Sequence, residues 1–231
     1  MDHGLSGYPE NGLDRMDSVI DSVIAGGADA IVCQKGVVSH QSSRTGWDGF
    51  VCHVSASTAH GGSNSQSKVK ISSATEALSR GAIGVSGQIN LGDENEPGML
   101  LDLGELTSEA HAIGMPVLGM VYPRGPNLVP LPNDITGGAA HAARVAYEMG
   151  CHAVKVPWTG NSESFRKVCE AVPIPVLIAG GPSGGDFSET LEIVRYAMAA
   201  GGAGVCMGRQ VFGAQDPAAC VRALRDIVHG A

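Results

Sequence analysis

The chain has 231 residues and a mass of 23.6 kDa, which is the size of one α/β barrel or of one to two ordinary domains. Apolar residues make up 43% and charged residues 16% of the chain, which excludes an intrinsically disordered protein. The net charge is −8 and no basic cluster stands out, which predicts no nucleic-acid partner. No apolar run approaches the ~20 residues that span a bilayer, so we expect no membrane segment.

Short apolar runs that end in Gly or a polar residue alternate along the chain with amphipathic stretches. This alternation predicts a single domain over residues 1–231, with one parallel sheet covered by helices. The predicted strands are 29–36, 49–58, 82–92, 115–125, 153–160, 175–182 and 204–213. The predicted helices are 13–25, 100–113, 139–149, 162–171, 189–200 and 217–228.

Seven visible strands plus one implied strand predict an α/β fold of the closed (β/α)8 TIM barrel type. A doubly wound open sheet is the alternative, but the Gly-rich turns come late and no G-x-G-x-x-G follows the first strand. The opening Met1-Asp2-His3-Gly4 resembles the end of a first strand whose body is missing. Either the sequence is trimmed or the first strand of the barrel is truncated.

Cysteine and histidine spacing gives no sign of a disulfide framework or a metal site. The six cysteines form no C-x-x-C pair and lie mostly in apolar segments, which predicts buried free thiols and a cytoplasmic location. The histidines include no H-E-x-x-H motif, and His53 and His60 do not form a recognisable ligand pair. We therefore expect no metal.

Lys155 is the residue with the clearest chemical implication. In the run A-V-K-V-P-W, strand alternation places Lys155 on the face opposite the helices, inside the predicted barrel. Burial disfavours the ammonium form of a lysine and makes it a nucleophilic amine that can form a Schiff base with a ketone. The other interpretation is a lysine that reaches the rim or pairs with a carboxylate.

Three further polar residues lie at predicted strand ends, where barrel enzymes place their chemistry. Tyr122 shares a face with Leu118 and could transfer protons, or it could be a core aromatic. Asp2 could act as a carboxylate base or orient a hydroxyl group, or it could be a cap. Lys35 ends the run 29–36 and could point inward to give electrostatic support.

Two late glycine turns predict a phosphate site. Gly180 and Gly181 follow the seventh strand of an eight-stranded barrel, and Gly208 and Arg209 follow the eighth. Barrels often bind phosphate there through backbone amides and the start of a short helix. Arg209 would add a forked cation, although a Gly-Gly pair alone can be only a turn.

Several motifs together are similar to those of the archaeal-type class I aldolase family, and the resemblance covers essentially the whole chain. It implies a Schiff-base barrel, usually a homo-oligomer, that acts on sugar phosphates and aldehydes without a metal or other cofactor. The motifs are M-D-H-G, Q-K-G, H-V-S, M-V-Y-P-R-G, H-A-A-R-V-A-Y-E-M-G, V-K-V-P-W-T-G, I-A-G-G-P and M-G-R-Q-V-F-G.

The resemblance also implies roles for individual residues. Lys155 would form the imine, Tyr122 would donate a proton and Asp2 would accept one. The phosphate would be held by Gly180, Gly181, Gly208 and Arg209. The remaining residues that line the substrate site would be His3, Gly4, Leu5, Ser6, Pro123, Arg124, Val156 and Pro157.

Differences within the family separate its branches. Met120 stands where the fructose-bisphosphate aldolase branch tends to carry Trp, and it matches the heptulosonate-synthase branch, whose aldehyde substrate is L-aspartate semialdehyde and whose product enters aromatic amino acid synthesis. A related thiolase branch lacks the Y-P-R-G element that this chain has, so it ranks third among the three branches. Val156-Pro157-Trp158 departs from the usual threonine-containing run, which leaves the acceptor open. Rival interpretations are a metal-dependent aldolase using His3, His53 or His60, and a non-catalytic sugar-phosphate-binding barrel.

Overall fold

A computed structural model describes residues 12–128, 134–180 and 186–230 of the chain. The strands are β1 Ile31–Gln34, β2 Phe50–His53, β3 Ser55–Ala56, β4 Val69–Lys70, β5 Gly84–Leu91, β6 Val117–Pro123, β7 Ala153–Val156, β8 Val176–Ala179 and β9 Gly204–Cys206. Seven of them form one parallel sheet in the order β1-β2-β5-β6-β7-β8-β9, and β3 and β4 form a small antiparallel pair.

Helices follow the strands of the parallel sheet and cover its outer face. Four of them begin at an Asp or Asn whose side chain accepts a hydrogen bond from a backbone N–H of the first turn, which satisfies a donor that has no partner within the helix. No helix in the described ranges is long and apolar enough to cross a membrane. The helices are α1 Met16–Ala25, α2 Lys35–Thr45, α3 Ala74–Ser79, α4 Glu96–Ala112, α5 Ile135–Glu148, α6 Ser162–Glu170, α7 Phe187–Ala199, α8 Arg209–Phe212 and α9 Pro217–His229, and short 3-10 helices span Leu13–Arg15 and Ala59–Gln66.

The two faces of the curled sheet differ in their surroundings. Residues such as Val154 and Ile178 point to the helices and are fully buried in the core. Alternate residues point to the concave face, the lumen, where Lys155 and Leu177 are half-buried. This arrangement of parallel strands and outer helices confirms the predicted α/β barrel class, of which the described residues supply seven strands.

Each of the seven predicted strands is present, and each ends before its predicted last residue; in two of them a helix takes up part of the predicted run. The run 29–36 ends at Gln34, and α2 begins at Lys35 without a loop. The run 204–213 ends at Cys206 and is followed by the short helix α8. Helices α2 and α3 and the β3–β4 pair were not predicted from the sequence.

The early end of β1 makes the prediction for Lys35 wrong. Its Nζ lies 2.6 Å from the carbonyl oxygen of Ile71 and 3.2 Å from Oε1 of Glu76 on α3. Lys35 therefore ties the start of α2 to α3 instead of pointing into the lumen.

All six cysteines are free thiols. Burial raises the pKa of Cys52 to about 11 and the pKa of Cys151 to about 12. Both thiols are therefore protonated at neutral pH. The buried cysteines are Cys33, Cys52 and Cys151, and the half-buried ones are Cys169, Cys206 and Cys220.

Candidate active site

Lys155 lies in the middle of the lumen face. It pairs in register with Met120 on β6 and with Leu177 on β8, so three neighbouring strands fix its backbone. Its side chain lines a cavity of about 330 Å³ together with these two residues. The structure therefore places the lysine where the sequence predicted it, inside the sheet and accessible from a cavity.

Tyr122 lies beside Lys155, two residues beyond Met120 on β6. Burial raises the pKa of Tyr122, the positive charge of Lys155 opposes this rise, and a side-chain hydrogen bond joins the two residues. The phenol is therefore protonated at neutral pH and lies in contact with the amine. This is the geometry that proton transfer to or from a lysine-bound substrate requires.

Arg124 is held over Tyr122 by a close approach of two strand ends. Its Cζ lies 4.0 Å from the centre of the Tyr122 ring, within the range of a cation–π contact. Gly125 donates its N–H to the carbonyl oxygen of Leu91, and a Cβ at Gly125 would lie 1.8 Å from the carbonyl carbon of Gly92. Only glycine fits at position 125, so the backbone after β6 determines where Arg124 lies.

The turns after β8 and β9 lie against each other, as a phosphate site would require. A Cβ at Gly180 would lie 2.9 Å from Cγ of Met207, which shows how closely the two turns approach. The short helix α8 begins at Arg209, directly after Gly208. Desolvation lowers the pKa of Arg124, and the positive charge of Arg209 lowers it further. The two guanidinium groups therefore influence each other across the same end of the sheet.

A polar stripe on β5, which the sequence analysis missed, faces the lumen next to Tyr122. Ser86 lies 2.8 Å from Nδ1 of the buried His53, and Nε2 of Gln88 donates to Oδ1 of Asn90 at 3.0 Å. Asn90 pairs in register with Tyr122 and is fully buried. The alternation S-G-Q-I-N within an apolar run was the signal for this stripe.

Two of the predicted lining residues point away from the lumen. The side chain of Val156 is buried among the helices, because it follows Lys155 on the strand and therefore has the opposite orientation. Pro123 follows Tyr122 in the same way and packs near Gly138 of α5. Their side chains therefore do not line the lumen, whereas Pro157 lies half-buried just beyond the end of β7.

Two of the histidines considered as metal ligands, His53 and His60, lie in the described part of the chain. His53 is hydrogen-bonded to Ser86 and His60 is exposed. Among the residues that the structure describes, no three His, Cys, Asp or Glu side chains lie close enough together to hold a metal ion. The predicted site residues outside the described ranges are Asp2, His3, Gly4, Leu5, Ser6 and Gly181.

A lysine and a tyrosine in the lumen of a parallel α/β sheet, with arginines beyond the strand ends, are typical of an aldolase barrel. The family model described as DeoC/LacD family aldolase matches residues 1–214, and the chain belongs to that family.

Two curated relatives are similar over nearly the whole chain. The 2-amino-3,7-dideoxy-D-threo-hept-6-ulosonate synthase of Halobacterium salinarum is 37% identical over 229 residues, which cover 99% of this chain and 84% of that protein. The 2-amino-4,5-dihydroxy-6-oxo-7-(phosphonooxy)heptanoate synthase of Streptomyces griseus is 35% identical over 233 residues, covering 99% and 83%.

One solved structure of the same type is close in fold. An archaeal fructose-1,6-bisphosphate aldolase, with its catalytic Lys covalently bound to the carbinolamine intermediate of the substrate, has a TM-score of 0.86 at 26% identity. The match covers 100% of this chain and 92% of that chain. Together with the named synthases, it makes this chain an enzyme of the class I aldolase type.

Proposed function

We propose that this chain is a Schiff-base-forming aldolase or transaldolase that transfers a three-carbon unit from a phosphorylated keto sugar to L-aspartate semialdehyde. The observation that carries the proposal is the contact of Lys155, which lines the lumen cavity, with Tyr122. It would act as a 2-amino-3,7-dideoxy-D-threo-hept-6-ulosonate synthase, supplying a precursor for aromatic amino acid synthesis.

The names of the relatives support this choice of substrates. Both describe a seven-carbon chain with a 2-amino group, an acid at carbon 1 and a ketone at carbon 6. An aldol bond next to that ketone joins carbons 4 and 5, so the two fragments are a four-carbon amino acid aldehyde and a three-carbon ketone. L-aspartate semialdehyde is the four-carbon fragment, and the three-carbon ketone is the part that an amine can activate.

Lys155 and Tyr122 would carry the steps of this reaction. The neutral amine of Lys155 adds to the ketone of the donor, and loss of water gives a protonated imine. The hydroxyl group next to the bond to be broken loses its proton and becomes the carbonyl of an aldehyde fragment that leaves, while the electron pair of the broken carbon–carbon bond moves into the imine and leaves an enamine on Lys155. The enamine then attacks the aldehyde of the acceptor, and water releases the product. Tyr122 and Asp2 would transfer the protons that these steps require.

The phosphate of the donor would bind at the turns after β8 and β9. Gly180, Gly181 and Gly208 would supply backbone N–H groups, and Arg209 would supply a charge-assisted hydrogen bond. Binding of this remote group would fix the ketone close to Lys155, so that addition occurs within the bound complex. His3 to Ser6, Arg124 and Pro157 would complete the walls of the substrate site.

We further propose a cytoplasmic homo-oligomer. Free thiols, three of them buried, suit a reducing compartment. Two large apolar side chains, Val69 and Leu101, are more than half exposed. They lie on neighbouring segments, because the backbone N–H of Lys70 donates to Oδ2 of Asp102 at 2.7 Å. Such a surface supports contact with another copy of the chain.

Reduction with borohydride in the presence of a keto sugar phosphate tests the assignment of Lys155. We expect a stable adduct whose mass maps to Lys155. Lys155→Ala should lower kcat/KM by at least about 10⁴-fold, because the covalent route is lost. Lys167→Ala, which removes an exposed lysine from α6, is the matched control. Full activity of Lys155→Ala, or an adduct on a different lysine, would refute the proposal.

Fructose-1,6-bisphosphate cleavage is the second candidate activity, because the solved archaeal aldolase shares the fold closely. Parallel assays of fructose 1,6-bisphosphate cleavage and of condensation with L-aspartate semialdehyde distinguish the two. We expect the condensation to have the higher kcat/KM. A preference for fructose 1,6-bisphosphate would reverse the assignment while leaving the role of Lys155 intact.

A further inference from the structure

A second cavity lies beside Arg124, beyond the ends of β5 and β6. Its volume is about 250 Å³, which is below the ~300–1,000 Å³ of pockets that hold drug-sized ligands, so it suits a smaller molecule. Its lining comes from three polar segments, within residues 63–67, 93–94 and 124–126. We call it the β5–β6 cavity, and its described lining does not overlap with that of the cavity that contains Lys155.

Arg124 connects the β5–β6 cavity with the amine of Lys155. It lines the cavity, and its Cζ lies 4.0 Å from the centre of the Tyr122 ring. Tyr122 in turn shares a side-chain hydrogen bond with Lys155. A ligand in the β5–β6 cavity that contacts Arg124 is therefore separated from the reactive amine by a single side chain.

The β5–β6 cavity carries a cation and two carboxylates. In the described part of the chain, Arg124 contacts Tyr122 but has no carboxylate partner. Asp93 and Glu94 line the same cavity, and neither of them pairs with Arg124. A cation and a carboxylate that share a small cavity without pairing can bind the two opposite charges of a zwitterion.

Asp93 is the carboxylate that is held in place. Its Oδ1 accepts a hydrogen bond from Oγ of Ser67 at 2.6 Å and another from the backbone N–H of Asn95 at 2.9 Å. Both partners use the same oxygen, which leaves Oδ2 without a donor among the described residues. Asp93 is half-buried, whereas Glu94 is exposed. Asp93 is therefore better prepared to accept a hydrogen bond from an ammonium group.

The third segment of the lining is fixed to the strand next to Tyr122. Nδ2 of the buried Asn90 donates to the carbonyl oxygen of Gln66 at 2.5 Å, and Oγ of Ser57 donates to the carbonyl oxygen of Ser65 at 2.6 Å. Asn90 pairs in register with Tyr122. The wall of the cavity and the phenol therefore keep a constant distance, as a positioning site requires.

We propose that the β5–β6 cavity binds the α-amino acid group of the acceptor, with its carboxylate on Arg124 and its ammonium group on Asp93. The aldehyde of the acceptor would then lie next to Tyr122 and face the donor on Lys155. The carboxylates of Asp93 and Glu94 would repel a phosphate, so the cavity would favour an amino acid aldehyde over a phosphorylated one. The proposal rests on the proposed function, because its ligand is the acceptor of that reaction.

Calorimetric titration with L-homoserine tests the site without turnover. L-homoserine has the amino acid group of L-aspartate semialdehyde but a hydroxyl group in place of the aldehyde, so it cannot undergo the aldol reaction. We expect it to bind the wild type, and Asp93→Asn to weaken this binding about tenfold to a hundredfold, because a charge-assisted hydrogen bond is lost. 4-Hydroxybutanoate, which lacks only the amino group, should bind both proteins equally.

Asparagine at position 93 keeps the oxygen that accepts from Ser67 and Asn95, so the local structure is retained. Asp226→Asn, on the exposed face of α9, is the matched control and should bind L-homoserine as the wild type does. Equal affinity of L-homoserine for the wild type and Asp93→Asn, or no binding to the wild type, would overturn the proposal. If Asp93→Asn does not fold, the wild type decides, because it should prefer L-homoserine to 4-hydroxybutanoate at least about tenfold.

Kinetics separate a failure of this site from a failure of the proposed function. Asp93→Asn should lower kcat/KM for L-aspartate semialdehyde about tenfold to a hundredfold and leave kcat/KM for succinate semialdehyde, which lacks the amino group, unchanged. Borohydride should trap the donor on Lys155 equally in both proteins. Unchanged kcat/KM for L-aspartate semialdehyde would overturn the amino acid site alone. A wild type that forms no donor adduct would overturn the proposed function, and the titration would still decide the site.

Discussion

The lumen differs between its two sides, although both sides belong to one sheet. On β5 and β6, three lumen residues, Ser86, Asn90 and Met120, are at most 2% exposed, although Leu118 on the same side is half-buried. On β8 and β9, the lumen residues Leu177 and Cys206 are half-buried and line the cavity. Helix-facing residues such as Ile89 and Ile178 are fully buried, whereas Val205 on β9 is half-buried.

This comparison shows that exposure in the lumen depends on the position of a residue across the sheet as well as on residue type. Leu177 and Met120 are both apolar and both line the cavity, but Leu177 on β8 is half-buried whereas Met120 on β6 is 2% exposed. Lys155 lies between the two and contacts both sides in register. Its amine is therefore next to a hydrogen-bonding partner on one side and next to open space on the other.

Replacing Tyr122 and Cys206 in turn tests whether the chemistry depends on the β5–β6 side of the lumen. Tyr122→Phe should lower kcat by about 10²–10⁴-fold, because Phe lacks the hydroxyl group that contacts Lys155 and transfers the proton. Cys206→Ala, also in the lumen, should change kcat less than about threefold. Steady-state kinetics of both variants measure the contrast. Equal losses would show that both sides of the lumen take part in the reaction.

Truncating Met120 and Leu177 sharpens the comparison for stability. Met120→Ala should lower the free energy of unfolding by about 2–4 kcal/mol, because it removes a buried side chain and enlarges the cavity beside it. Leu177→Ala should cost about 1 kcal/mol, because its side chain is already partly solvated. Urea unfolding of both variants gives the two values. A larger loss for Leu177→Ala would mean that the cavity beside Leu177 is closed in solution.

Removing the guanidinium group of Arg209 tests whether the β8–β9 side of the lumen binds the phosphate. Arg209→Gln should raise KM for a phosphorylated substrate about tenfold to a hundredfold, because one charge-assisted hydrogen bond is lost. Arg209→Lys keeps the charge but not the forked geometry and should recover part of the loss. A KM unchanged in Arg209→Gln would remove Arg209 from the phosphate site.

The smallest effect concerns Glu76, which holds the start of α2 next to β1. Hydrogen bonds from Ser72, Arg80 and Lys35 lower its pKa from 4.5 to about 2. A carboxylate with a lowered pKa stabilises the fold fully above its ordinary pKa, and the stabilisation is lost as the pH falls. We expect the stability curves of the wild type and Glu76→Gln to converge between pH 4.5 and 2. Parallel curves over this range would contradict the assigned partners.

Apolar periodicity was enough to predict the sheet, and it failed where helices lack a clear pattern. Strands such as β6 and β8 are apolar runs bounded by Gly or Pro, and the sequence predicts them correctly. Helix α2 has the polar sequence KGVVSHQSSRT and starts directly after β1, so no loop signal separates the two. The β3 and β4 strands have two residues each, which is too short for a period to appear.

Alternation along single strands predicted part of the site, whereas contacts across strands needed the register. The orientation of Lys155 and Tyr122 follows from their own strands. The same rule shows that Val156 faces the helices, so its assignment to the site came from the family motif and ignored alternation. The pairing of Asn90 with Tyr122 depends on how β5 aligns with β6, which no single run of residues contains.

The buried thiols give this molecule two internal reporters of transient opening. Cys52 belongs to β2, the neighbour of β1, and Cys151 precedes β7 on the far side of the lumen. Because both sulfurs stay protonated and shielded in the native state, an alkylating reagent can modify them only during a fluctuation that exposes them. Their two labelling rates therefore record separately how often each half of the sheet comes apart.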